Sequence, residues 1–207
     1  MNQYPINRDN LERGLSVRSF LDGLTTHREA MLLRVAAVKL TDEEIALFAT
    51  LAEPLRMLIM TEEWCSDCLM NVPILVRIAE AAPQMQARIF IRRDWPELRS
   101  YYTSQGVHSI PVATFLDRDF QPVGSWIERP FSAHQYLTAW KAAHPEVEQT
   151  RRRADLSSEE KREMLGELLD QLLVEMEGWY NQGLQSETVR EVAKILGLLV
   201  GKSHQPS

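Results

Sequence analysis

Trp64-Cys65-Ser66-Asp67-Cys68 contains both cysteines of the chain. An apolar run, Leu55 to Met60, comes just before it, and a run of helical period that includes Pro73 comes just after. Two thiols spaced Cys-x-x-Cys close a small disulfide ring with little backbone movement. A helix starting at Cys65 aims its free N–H groups and its positive dipole end at that sulfur. This lowers the thiol pKa and yields the thiolate, which is the nucleophile of disulfide exchange. A structural zinc site wants four ligands, and the sequence has no second Cys-x-x-Cys. Thiol redox chemistry is the expected use of the pair.

Outward from the motif, Arg56 to Met60 reads as a buried strand. Cys65 to Ala81 reads as a helix with Leu69, Val72, Leu75, Val76 and Ala79 on one side. Pro73 is expected to kink it. Ala87 to Ile91 is a second strand, and Trp95-Pro96 starts a short helix. Val112 to Leu116 and Val123 to Ile127 form a hairpin across Asp117-Arg118-Asp119. Ser132 caps a closing helix that runs to about Ala143. This order predicts an α/β chain with a central mixed sheet of about four strands flanked by helices.

Upstream, Ser16 caps a helix through Leu24, and Thr26 caps a second to about Leu40. Thr41-Asp42-Glu43-Glu44 is a capping-box start to a third, Ile45 to Leu51. Downstream, the sequence after His144-Pro145 reads as a charged, polar stretch. Ser157-Ser158-Glu159-Glu160 then opens an amphipathic helix whose stripe is Leu165, Leu168, Leu169, Leu172, Leu173 and Met176. Gly178 and Gly183 bracket its end, and a last helix spans about Ser186 to Leu199. The expected organisation is a single domain over residues 1–207. Its core covers about 52–143, with helical extensions at 1–51 and 144–207. The leucine stripe either packs on its own domain or offers a homodimer or partner surface.

The chain has 207 residues, 44% hydrophobic, enough for one packed core plus extensions. A formal net charge of -6 excludes a global attraction to nucleic acid or anionic membrane. Arg92-Arg93 and Arg151-Arg152-Arg153 read as solvated faces and local ion pairs. No apolar run reaches the roughly 18 residues of a membrane span. Met1 to Leu15 lacks an apolar secretory core. With two cysteines at a redox spacing, a reducing cytoplasmic setting is expected.

Trp64-Cys65-Ser66-Asp67-Cys68 after a strand, Pro73 five residues past Cys68, and Ser109-Ile110-Pro111 before the third strand resemble the thioredoxin superfamily. The resemblance covers roughly Arg56 to Ala143. With Glu62-Glu63 and Asn71-Val72-Pro73-Ile74-Leu75, the chain is similar to bacterial thioredoxin family proteins with helical extensions. The resemblance implies a thioredoxin-like fold in which Pro111 is cis and faces the dithiol. It also implies a thiol-disulfide oxidoreductase acting on protein or small-molecule disulfides without a dissociable cofactor.

On that reading Cys65 is the attacking thiolate and Cys68 the more buried resolving thiol. Trp64 either shields the dithiol or is an ordinary packing aromatic. The backbone of Ile110, presented by Pro111, pairs with a bound substrate. Ser66-Asp67 stands where typical thioredoxins have Gly-Pro. The Asp67 charge raises thiol pKa, a Ser66 hydrogen bond lowers it, and the sequence leaves the sum open. Thioredoxins keep a buried acid six residues before the first cysteine, a position occupied here by Ile59. Glu62 and Glu63 are the nearest substitutes and are expected to be solvated in the loop. His108 is either an exposed loop histidine or a third soft metal ligand beside Cys65 and Cys68. The alternatives to redox catalysis are therefore a metal-handling module on those three residues and a non-catalytic interaction protein.

Overall fold

Leu55–Thr61 forms strand β1, buried along its length except for half-buried Arg56. A strand covered on both faces is apolar throughout rather than alternating, which is how Met57 to Met60 reads. The computed structural model, which describes residues 4–199, places β1 inside a four-stranded sheet ordered β2-β1-β3-β4. Strand β2 (Met85–Ile91) pairs with β1 in parallel, with Thr61 opposite Ile91 at their ends. Strand β3 (Val112–Leu116) is antiparallel to β1, and β4 (Pro122–Ile127) closes the hairpin onto β3.

Parallel neighbours need a crossover. Helix α4 (Ser66–Ala81) lies in the crossover from β1 to β2. It is buried on several sides, through Leu69, Met70, Val72, Ile74, Leu75 and Ile78 among others, so it lies in the core. Pro73 sits inside the helix, which continues past it to Ala81.

The N-terminal helices are α1 (Val17–Asp22), α2 (Arg28–Ala37) and α3 (Asp42–Ala49). Ser16 caps α1 by accepting from the Ser19 N–H at 3.0 Å, and Thr41 and Glu44 form the expected capping box of α3. Thr26 does not cap α2. The N-cap is His27 at φ 52°, and the Thr26 N–H is turned instead onto the Glu63 carboxylate. Arg77 on α4 donates to the carbonyls of Val35 and Val38 at 2.7 and 3.2 Å, satisfying the end of α2.

Helix α5 (Pro96–Ser104) follows β2. The described residues divide into two compact units, 4–128 with 188–199 and 129–187. The second holds α6 (Ala133–Ala143), α7 (Pro145–Arg152) and α8 (Ser158–Trp179). Ser132 is the N-cap of α6 but makes no side-chain capping bond; its N–H donates to Glu187 at 2.9 Å. The charged, polar stretch after His144 is helical. Pro145 at its first turn, acidic residues behind it and arginines in its last turn suit a helix at both ends. On α8, Leu165, Leu172 and Met176 are buried while Leu168, Leu169 and Leu173 are half-buried. Gly178 does not end it. A wider turn over Tyr180–Leu184 carries the break at Gly183, φ 141°, and α9 (Gln185–Ile195) follows.

The outer edge of β2 is closed by the N-terminal arm, where Leu15 and Ile89 exchange two backbone hydrogen bonds of 2.8 Å. Gly14 makes that approach possible, since a Cβ there would stand 2.5 Å from the Phe90 ring. Phe90 in turn packs edge-on against Trp95 at 4.7 Å, so it has little room to yield. Gly14→Ala is expected to cost about 1–3 kcal/mol of overpacking. Urea denaturation measures this, and an unchanged midpoint would contradict the tight crossing.

Candidate active site

Cys65 is the N-cap of α4. Its sulfur accepts from the Cys68 N–H at 3.4 Å, and its S–H donates to the Ile110 carbonyl at 3.6 Å. Both thiols are free; Cys65 is half-buried and Cys68 is at 0% exposure. The Ile110–Pro111 peptide bond is cis. The Pro111 carbonyl accepts from the Glu128 N–H at 2.7 Å. Asn71, fully buried on α4, secures this from below. Its amide donates to the carbonyls of Asp67 and Glu128 at 3.0 and 3.2 Å, and its oxygen accepts from the Thr188 hydroxyl of α9 at 3.2 Å.

The two thiols are pushed in opposite directions. The Cys65 thiol lies below its ordinary pKa of 9.0, chiefly because the Cys68 S–H bonds to its sulfur. Burial opposes this, the Cys68 N–H assists, and the Asp67 charge opposes. The open balance at Ser66-Asp67 therefore resolves toward the thiolate, through the Cys68 S–H and the Cys68 and Asp67 N–H groups rather than a Ser66 hydroxyl. The Cys68 thiol is pushed well up, first by burial and then by Cys65. The Thr61 hydroxyl and the Glu62 N–H work against that rise.

Glu62 and Glu63, expected in solvent, are buried at 3% and 7% exposure. The reason is Arg93, on the turn after β2. Its N–H and Nη1 donate to the two oxygens of Glu62 at 2.7 and 3.0 Å, and its Nη2 donates to Glu63 at 3.0 Å. The other Glu63 oxygen accepts from the Thr25 N–H, the Thr25 hydroxyl and the Thr26 N–H at 2.6, 3.0 and 3.0 Å. Burial alone would raise the Glu63 carboxyl; these donors outweigh it and hold the group at about 2, against an ordinary 4.5.

The remaining candidates are placed as follows. Trp64 is 60% exposed, so most of its ring faces water. Ser66 is half-buried, and Asp67, Ile110 and Pro111 are buried. His108 is exposed, and among the described residues no three His, Cys, Asp or Glu side chains gather as a metal site. The Cys65, Cys68 and His108 triad is thus not assembled. A cavity of about 670 Å³ lies between the N-terminal arm and the β3–β4 turn, lined by Tyr4, Tyr101 and Phe120 among others; no site residue lines it. Thr25 and Thr61 were not singled out from sequence; Asn71 stood only in the stretch that carries the resemblance, and Arg93 only in a pair read as a solvated face or local ion pair. The signal for Arg93 existed: two acids follow one strand, two arginines follow the next, and parallel pairing brings those ends level.

Iodoacetamide at neutral pH is expected to label Cys65 and spare Cys68. Cys68→Ala should slow labelling of Cys65 several-fold, because a donor to its thiolate is lost; unchanged labelling would contradict the sulfur–sulfur contact. Glu63 gives a stability signature. Its folded pKa is depressed, so the unfolded chain binds the proton first as pH falls. Its contribution is complete above about pH 4.5 and is lost toward about pH 2. Glu63→Gln should lower stability at neutral pH and flatten the fall across that window in denaturation experiments. A parallel pH profile would refute the assignment.

A family model described as thioredoxin matches residues 14–141. A crystal structure of a protein of unknown function from Pseudomonas aeruginosa is similar at 19% identity and TM-score 0.62, covering 95% of this chain and 98% of that one. An HIV epitope-scaffold is similar at 18% identity and TM-score 0.59, covering 93% and 98%. Mitochondrial thioredoxin 3 from Saccharomyces cerevisiae aligns over 45% of this chain and 86% of its own, at 20% identity and TM-score 0.31. No curated protein matches the sequence. No helix among the described residues is long and apolar enough to cross a membrane. A strand, a Cys-x-x-Cys helix start, an Ile-Pro before an antiparallel hairpin and a model match over more than half its length agree: the chain belongs to the thioredoxin family.

Proposed function

We propose that the protein is a cytoplasmic thiol-disulfide oxidoreductase that exchanges disulfides through Cys65 and Cys68, with protein or small-molecule disulfides as substrates. The observation that carries this reading is the asymmetry of the pair. One sulfur is partly accessible, receives donors and is drawn toward the thiolate; the other is one turn deeper, fully buried and held as the thiol. A structural pair has no use for such a difference, whereas a ping-pong exchange needs it.

The Cys65 thiolate attacks one sulfur of the substrate disulfide. A Cys65–substrate bond forms, the substrate S–S bond breaks, and the first product leaves as a thiolate that takes up a proton. Cys68 then attacks the Cys65 sulfur, closes the protein disulfide and expels the second product. Two electrons pass from the dithiol to the substrate, so the protein is oxidised and the substrate becomes two thiols. The Ile110 carbonyl, which accepts from the Cys65 S–H at 3.6 Å, loses that donor when Cys65 becomes a thiolate and can then pair with the main chain of an extended substrate.

Insulin disulfide reduction with a dithiol reductant tests the reading. Cys65→Ser is expected to abolish turnover. Cys68→Ser is expected to retain the first attack and accumulate a mixed disulfide visible by mass. Turnover by Cys65→Ser equal to that of the wild type would overturn the proposal.

A further inference from the structure

Thr61 is the last residue of β1, directly before the loop that delivers Cys65, and it is at 0% exposure. Its Oγ1 is buried and has no hydrogen-bond partner of normal geometry among the described residues. A buried hydroxyl with nothing to bond is destabilising. Valine has the same branched shape without that penalty, so a threonine here gains a use only from a partner that appears in another state of the protein.

The Cys68 sulfur is a group that acquires a need for such a partner. It is sealed from water, and the Thr61 hydroxyl is one of the two groups that favour its charged form, the other being the Glu62 N–H. Strand alternation puts Thr61 on the same face of β1 as Ile59, one step nearer the dithiol. With Ile59 apolar, that face offers no acid. A hydroxyl rotates freely about its C–O bond, so Thr61 is able to turn its proton toward sulfur when charge develops there.

Resting on the dithiol reading above, we propose that the Thr61 hydroxyl donates a hydrogen bond to the Cys68 sulfur as it becomes a thiolate, and thereby promotes the resolving step. In that step the Cys68–Cys65 bond forms while the bond from Cys65 to the substrate sulfur breaks. The proton lost by Cys68 passes to the departing substrate sulfur. Thr61 transfers no proton and no electrons; it lowers the barrier by solvating a charge that water cannot reach.

The test uses the full chain and the chromogenic disulfide of thionitrobenzoate in single turnover. Release of the first thionitrobenzoate reports attack by Cys65, and release of the second reports attack by Cys68. Thr61→Val is expected to leave the first phase unchanged and slow the second by about tenfold or more, the size of a hydrogen bond to a charged group. Its melting temperature should equal or exceed that of the wild type, because an unpartnered hydroxyl has gone. Thr61→Ser should restore the second phase, which a purely structural role for the side chain would not require. If the valine variant does not fold, Thr61→Ala against Thr61→Ser reads the same difference. A second phase at the wild-type rate in Thr61→Val or Thr61→Ala would overturn the role of Thr61. A wild-type protein that never releases the second thionitrobenzoate would instead overturn the dithiol reading itself.

Discussion

The loop that delivers Cys65 depends on one guanidinium. Glu62 and Glu63 are consecutive, both are buried, and both point their carboxylates toward Arg93. Leaving one buried charge unpaired costs about 3–5 kcal/mol, a large part of a domain's net stability. The loop is therefore held in this form or not held at all. Arg93 is 55% exposed on its side chain, so its own charge remains partly solvated. The arrangement joins two buried acids to a cation that has not given up water. That is cheaper than sealing all three charges away.

The helices outside the minimal fold then acquire a physical role. From the N-terminal side, the Thr25 and Thr26 N–H groups complete the Glu63 shell. From the C-terminal side, Thr188 on α9 completes Asn71, which fixes the Glu128 carbonyl, and the Glu128 N–H fixes Pro111. The two supports meet the dithiol from opposite sequence directions: one sets the loop before Cys65, the other the loop that carries Ile110. Segments that read from sequence as appendages are bonded to the two pieces of irregular backbone beside the sulfurs.

The sheet and the motif helix were legible because their signals are local. Met57 to Met60 is an unbroken apolar run, and Ser16, Thr41 and Ser157 are caps whose partners lie three residues away. The misreadings around the site were non-local. Thr26 looked like a cap because the carboxylate that accepts from its N–H, that of Glu63, lies 37 positions away. Glu62 and Glu63 looked solvated because Arg93 is some thirty residues downstream and reaches them only through strand pairing. Helix α7 was hidden by its low apolar content, since Val147 and Thr150 are its buried residues. Helix α8 ran past Gly178 because a glycine inside a long helix costs only about 1 kcal/mol.

The electrostatics of Cys65 show why the dipeptide between the cysteines was the hardest part to read. The N-terminus of a helix carries about half a unit of positive charge, and Asp67 in the first turn of α4 carries a full negative one. At the sulfur the Asp67 charge works against the helix end. The groups that draw it toward the thiolate are short-range: the Cys68 S–H first, then the Cys68 N–H at 3.4 Å and the Asp67 N–H. The attacking thiol is then activated mainly by the resolving one, and Cys68 serves it as a donor only while it keeps its own proton. Burial of Cys68 is what keeps that proton in place. The same burial that primes the first attack opposes the second, since Cys68 must itself become a thiolate without water to stabilise it. A fold that seals the inner sulfur this completely needs a donor on the protein side of it, and on β1 the residue in reach is the end of the strand.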